Sequence, residues 1–183
     1  MKTKKFYLAL LVVLILTSCV PEDFNTQTVE PDNSTEFIEP DPETFVALMP
    51  AVREYFYYRK KAVTSGNIEE LWAQFPELRD GIDITQGINS EEFTVTNYQG
   101  LKPFDGNIFP EYYERLKVKL TNDEAEVLVH GMELYLCLDE SGRFDDSGGE
   151  FKIVLYLHMR DGRWVVVKTD EVTIREWQQF SPN

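Results

Sequence analysis

Apolar positions change period near Pro110, and that change divides the chain into a helical half and a stranded half. In the first half, Asp41-Pro42-Glu43 supplies an N-cap, a proline suited to the first helical position and a first-turn acid. Val52, Tyr55, Phe56, Arg59 through its stem, Ala62 and Val63 then recur at helical spacing, which predicts one amphipathic helix ended by Ser65-Gly66. Pro50 cannot donate to the carbonyl four residues back, so a kink or restart is expected there. Asn67 followed by Glu70 resembles a capping box and predicts a short second helix that buries Ile68, Leu71, Trp72 and Phe75 before Pro76 stops it. Between positions 78 and 109 the pattern is mixed. Asn89 and Glu92 suit the start of a helix through Tyr98 to Gly100, the β-branched Thr94, Val95 and Thr96 oppose it, and the balance favours helix.

After Pro110 the period is two. Leu116, Val118 and Leu120 alternate with Arg115, Lys117 and Lys119, and Thr121-Asn122-Asp123 turns the chain into a long strand over 124–138. Strands over 151–160 and 163–173 follow, joined by the hairpin signal Asp161-Gly162, while the polar, glycine-containing stretch 139–150 reads as a connection. Together these predict a four-stranded antiparallel meander. Val127 and Val129 share one parity and Met132, Leu134, Leu136 and Leu138 the other, so a bulge at His130-Gly131 is expected to put both sets on the core side. In 151–160 one face is Phe151, Ile153, Leu155, Leu157 and Met159, and the other holds Val154, Tyr156 and His158. Trp164 and Val166 back Val165 and Val167 in the same way. Neither strand has a wet side, so the outer sheet face is expected to be covered, most simply by a second copy in a homodimer.

Composition limits the function. The chain has 183 residues, 43% apolar and 13% aromatic, which suits one folded domain plus short extensions. With 32 acidic residues against 18 basic and a net charge of −14, it offers nucleic-acid phosphates little to bind, and no nucleic-acid partner is expected. Lys2, Lys4 and Lys5 precede an apolar run over 6–16 that is too short to span a bilayer, the layout of an export signal. Its end, Leu16-Thr17-Ser18-Cys19, resembles the lipobox of bacterial lipoproteins, in which the cysteine becomes the first mature residue and carries acyl chains such as palmitate. The resemblance implies a signal peptide over 1–18, lipidation of Cys19, and a membrane-anchored, extracytoplasmic location. Residues 19–42 are acidic and proline-containing, an extended tether reaching at most ~70 Å. The folded domain is expected over 43–183. With Cys19 acylated, Cys137 is the one remaining thiol, has no partner for an internal disulfide and reads as a small buried hydrophobe.

Helices followed by a long antiparallel meander ending in Asp161-Gly162-Arg163-Trp164 resemble the nuclear transport factor 2-like superfamily and its polyketide-cyclase-like relatives. The resemblance implies an α+β fold: N-terminal helices packed on a curved antiparallel sheet of at least four strands, a cone-like, cystatin-like roll. In that family the helices and sheet enclose a hollow. Here its lining would include Tyr55, Tyr58, Trp72, Tyr98 and His130 or Glu133, and the family's usual first hairpin has no evident place between 78 and 109. Isomerase or hydrolyase chemistry needs a carboxylate base and a tyrosine donor, and Glu133 or Asp170 with Tyr55 or Tyr58 would fill those roles. No pattern selects them among nine tyrosines and 32 acids, so no catalytic residue is assigned. Asp139, Glu140, Asp145, Asp146 and Glu150 lack the spacing of a calcium loop and read as a solvated tip, and neither a metal nor a cofactor is expected. The function expected is non-catalytic binding of a small ligand or a partner, with an isomerase or hydrolyase as alternative, and pure self-association as a third.

Overall fold

The computed structural model describes residues 36–138 and 141–171. The chain falls into two units, Met1–Glu30 and Pro31–Asn183, and every described residue belongs to the second. The signal peptide, Cys19 and most of the tether therefore lie outside the described residues.

Helix α1 (Pro42–Ser65) begins where the local chemistry places it. Asp41 Oδ1 accepts from the backbone N–H groups of Glu43 and Thr44, both at 2.9 Å, and supplies partners that the first turn lacks. The expected restart at Pro50 does not occur. The helix runs through it, and the carbonyl that loses its donor belongs to Val46, a residue 69% exposed and therefore open to water. Gly66, at φ 67°, closes the helix in the left-handed conformation. Helix α2 (Glu69–Trp72) is a single turn, and Asn67 Oδ1 accepts from Glu69 N–H at 3.1 Å. A 3-10 turn, Pro76–Arg79, follows, so that Leu71, Phe75 and Leu78 all pack against α1 and the sheet. Helix α3 (Glu91–Gln99) forms despite its β-branched residues, of which Val95 is buried.

Five antiparallel strands complete the α+β fold: β1 (Pro103–Phe109), β2 (Lys117–Thr121), β3 (Glu124–Leu138), β4 (Phe144–Arg160) and β5 (Arg163–Asp170). Their order is β1-β3-β4-β5. β2 lies on the same edge of β3 as β1, pairing residues 124–128 where β1 pairs 132–137. Thus β1 occupies the stretch whose pattern was mixed, and supplies the strand beyond the expected meander. β3 and β4 pair without a shift from Glu124↔His158 to Leu138↔Phe144. That unbroken register overturns two expectations. There is no bulge at His130-Gly131, so Val127, Val129, Glu133, Tyr135 and Cys137 all face the helices while Leu134, Leu136 and Leu138 face outward. The connection after β3 is also shorter than expected, because 144–150 is strand and Asp145, Asp146 and Glu150 belong to it rather than to a loop tip.

Asn89, expected to cap α3, has another task. At φ 46° it turns its side chain to β5: Oδ1 accepts from Thr169 N–H at 2.9 Å, and Nδ2 donates to the Asp80 carbonyl at 2.7 Å. This fastens the start of α3 to the edge of the sheet. Cys137 is 3% exposed, and burial pushes its thiol above the ordinary range, which leaves it a packing residue.

Candidate functional site

Between the helices and the sheet lies a cluster of polar side chains inside an apolar core. α1 contributes Tyr55 and Arg59, one turn apart on the inward stripe. α3 contributes Glu91 and Tyr98, the inward face of β3 Glu133 and Tyr135, and the end of β5 Thr169, with Glu171 just beyond that strand. Tyr55 OH donates to Glu91 Oε1 at 2.8 Å, and Thr169 Oγ1 donates to the same oxygen at 2.6 Å. Arg59 Nη1 donates to Glu171 Oε1 and, at 3.4 Å, to the Tyr55 hydroxyl; its Nη2 stands 3.5 Å from Glu133 Oε2. Tyr98 OH closes the set by donating to Glu133 Oε1 at 3.0 Å, and the Tyr135 hydroxyl lies 3.5 Å from Oε2. Among the described residues four buried atoms have no partner, and two of them belong to this cluster: Arg59 Nε and Glu91 Oε2, the others being Trp72 Nε1 and Glu77 Oε2.

Burial and charge set the protonation states. Burial opposes the Arg59 guanidinium, but Glu171, Tyr55 and Glu133 outweigh it and hold the group protonated. Burial also pushes the hydroxyls of Tyr55, Tyr98 and Tyr135 well above the usual tyrosine range, reinforced by Glu91 at Tyr55 and by Glu133 at the other two. Burial raises Glu91, against the lowering effect of the Thr169 hydrogen bond and of Arg59. Because the fold favours neutral Glu91, its contribution to stability is complete below the unfolded carboxyl pKa of ~4.3 and is lost as pH rises through the folded value. A Glu91→Gln variant cannot ionise, so its urea midpoint relative to the native chain is expected to climb from pH 4 to pH 8. Glu77 and Glu150, lowered by Arg160 and His130, act in the opposite sense but are common to both proteins. A flat difference between the two midpoints would mean that Glu91 is solvated.

Of the six pocket residues read from the sequence, the structure brings Tyr55, Tyr98 and Glu133 together. Tyr58 packs edge-on against Phe75 and Tyr57, and Trp72 lies under the Arg79 guanidinium, 5.4 Å from its ring centroid. His130 is on the opposite sheet face, stacked on Tyr113, with Nε2 2.6 Å from Glu150 and Nδ1 3.4 Å from Glu114. Sequence reasoning missed Arg59, Glu91, Tyr135, Thr169 and Glu171 as members of the cluster. Arg59 alone left a signal, a cation at a buried position of the α1 stripe, where an unpaired charge is not tolerated. The expected bulge would have turned Tyr135 outward.

No protein-family model and no curated protein matches the sequence. Among solved structures, the chain is similar to a candidate dehydratase of the NTF2-like family from Streptomyces avermitilis (16% identity, 73% of this chain and 99% of that one, TM-score 0.42). It is similar also to an NTF2-like protein with a cystatin-like fold from Novosphingobium aromaticivorans (13%, 73% and 86%, 0.44). A third is a candidate calcium/calmodulin-dependent protein kinase II association domain from Xanthomonas campestris (17%, 68% and 86%, 0.38). These are likenesses of fold. With TM-scores below 0.5, the class of this protein, an α+β domain with a polar cluster under its sheet, rests on its own strands and side chains.

Proposed function

We propose that the chain is an exported, lipid-anchored domain of nuclear transport factor 2-like type that binds a small molecule, without transforming it, at the cluster around Arg59. One observation carries the reading: a buried donor, Arg59 Nε, and a buried acceptor, Glu91 Oε2, both lack a partner in the same cluster. Each unmade hydrogen bond costs about 1–3 kcal/mol, and a ligand offering one acceptor and one donor recovers both. The isomerase or hydrolyase alternative calls on Glu133 or Asp170 as its base. Glu133 is engaged by Arg59 and Tyr98, and the β5 register, Leu155↔Thr169 beside Val154↔Asp170, puts Asp170 on the other face from Thr169.

Mass spectrometry of small molecules released by denaturing the purified chain is expected to find one compound near stoichiometric amount, and to lose it with Arg59→Lys. Release of nothing from the native chain would sink the reading. Anchoring is supported by the Leu16-Thr17-Ser18-Cys19 pattern behind a short apolar run. Cys19→Ser is expected to move the chain from the membrane to the soluble fraction and to abolish palmitate labelling; continued labelling would exclude Cys19.

A second reading, self-association through the outer sheet face, is favoured by the exposed row Leu134, Leu136 and Leu138 (38–40%) beside Phe104 and Phe144, whose rings meet at 5.7 Å. Leu136→Asp is expected to turn a dimer into a monomer in sedimentation velocity. An unchanged mass would remove this face as the interface.

A further inference from the structure

We infer that the ligand of this site is a small protonated amine that also carries an oxygen acceptor, an inference resting on the binding reading above. Around Arg59, the one cation of the described cluster, stand three carboxyl groups: Glu171 on Nη1, Glu133 opposite Nη2, and Glu91 reached through the Tyr55 hydroxyl. An anionic ligand would find the guanidinium already taken and three carboxyl groups opposing it. A cation finds the reverse. Glu91 accepts two hydroxyl protons on Oε1 and has no cation within ion-pair distance among the described residues, so its unpartnered Oε2 is the natural seat for an ammonium N–H. Such an acceptor, nine-tenths and more buried, distinguishes this group from a surface patch of acids.

The surrounding rings fit the same ligand. Tyr98 and Tyr135 lie with centroids 4.6 Å apart beside Glu133, and Tyr55 donates to Glu91 directly, so aromatic rings, which attract cations, stand next to both carboxyl groups. Arg59 Nε–H remains as a lone donor. An oxygen on the ligand, hydroxyl or carbonyl, accepts from it, which separates an amino alcohol from a plain alkylamine. Both orphaned atoms are then satisfied, and the excess of carboxyl groups is reduced by one charge.

Three probes of equal length test this on the detergent-solubilised mature protein: 3-aminopropan-1-ol, propane-1,3-diol and 3-hydroxypropanoate, followed by calorimetry at pH 5 and pH 8. The amine stays protonated throughout. At pH 8 it is expected to bind at least tenfold more tightly than the diol, and the acid more weakly than either. Binding of the amine should weaken as pH falls from 8 to 5, because burial raises the Glu91 carboxyl and favours its neutral form on the acid side. Arg59 and Tyr55 from α1, Glu133 from β3 and Glu171 just after β5 also belong to this cluster, so the assignment to Glu91 needs its variant. Glu91→Gln should erase the preference for amine over diol, and most of the pH dependence, while circular dichroism stays native.

Equal or better binding of the diol or the acid, or an undiminished preference for the amine in Glu91→Gln, overturns the cation while leaving the site. Should Glu91→Gln not fold, the charge of the compound released from the native chain decides: an amine sustains the inference, and a neutral or anionic compound ends it. If no probe binds and nothing is released, the binding reading itself fails.

Discussion

Replacing Arg59 by alanine is expected to cost about 3–5 kcal/mol of folding stability, the range for removing one partner of a buried ion pair. The side chain is 3% exposed, and its loss leaves Glu133 and Glu171 facing each other with no cation between them. It also strips the Tyr55 hydroxyl of a donor and Phe151 of the guanidinium that lies 5.7 Å from its ring centroid. Urea unfolding measures the loss. The triple variant Arg59→Met, Glu133→Gln, Glu171→Gln should recover most of it, because neutralising all three groups removes the uncompensated charge rather than the packing. A loss below about 1 kcal/mol for the alanine variant would mean that the cluster is wet and screened, like a surface pair.

The second large effect is expected at Gly148. It sits in mid-strand opposite Leu134 with φ 145°, a conformation that side chains rarely adopt, and a Cβ there would stand far inside contact distance of the Glu133 carbonyl oxygen. That obstacle is backbone and cannot rotate away. Gly148→Val should therefore cost about 2–5 kcal/mol, from strain together with overpacking. Pushing β4 off β3 here displaces Glu133, so the near-ultraviolet signal of Tyr98 and Tyr135 should change along with the unfolding midpoint. Gly149→Ala is the control: its φ of 157° is strained, but nothing lies within 4 Å of the added carbon, so it should cost less. Equal losses at the two positions would show that backbone conformation, rather than the approach of β3, fixes glycine at 148.

These two residues mark how far the sequence could be read. Gly148-Gly149 stood in a polar run that local chemistry assigns to a loop. The unshifted pairing with β3 drew it into a strand, and glycine is there because the Glu133 carbonyl comes close. β1 was missed for a related reason: Pro103 and Gly106 spoil its alternation, and it forms because the edge of β3 at 132–137 offers unpaired backbone groups. The apolar parity switch in β3 was real as a pattern and wrong as a fold. Leu134, Leu136 and Leu138 stay outside because moving them inward would require breaking the register of fifteen consecutive pairs.

By itself the sequence determined what acts over a turn or less: the start of α1 at Asp41-Pro42, its stop at Gly66, the hairpin at Asp161-Gly162, and the alternating ribbon after Pro110. Capping bonds, left-handed glycines and side-chain periodicity are local free energies, and they are legible without knowing what the segment touches. The polar cluster had no such signature. Its hydrogen bonds join residues 36, 78 and 112 positions apart, so their meeting depends on strand register and on how α1 and α3 lie over the sheet. Tertiary structure alone selected one arginine and three carboxyl groups from an acidic chain, and it is the withdrawal of Arg59 and Glu91 from water that leaves each with an unsatisfied atom and raises the Glu91 carboxyl.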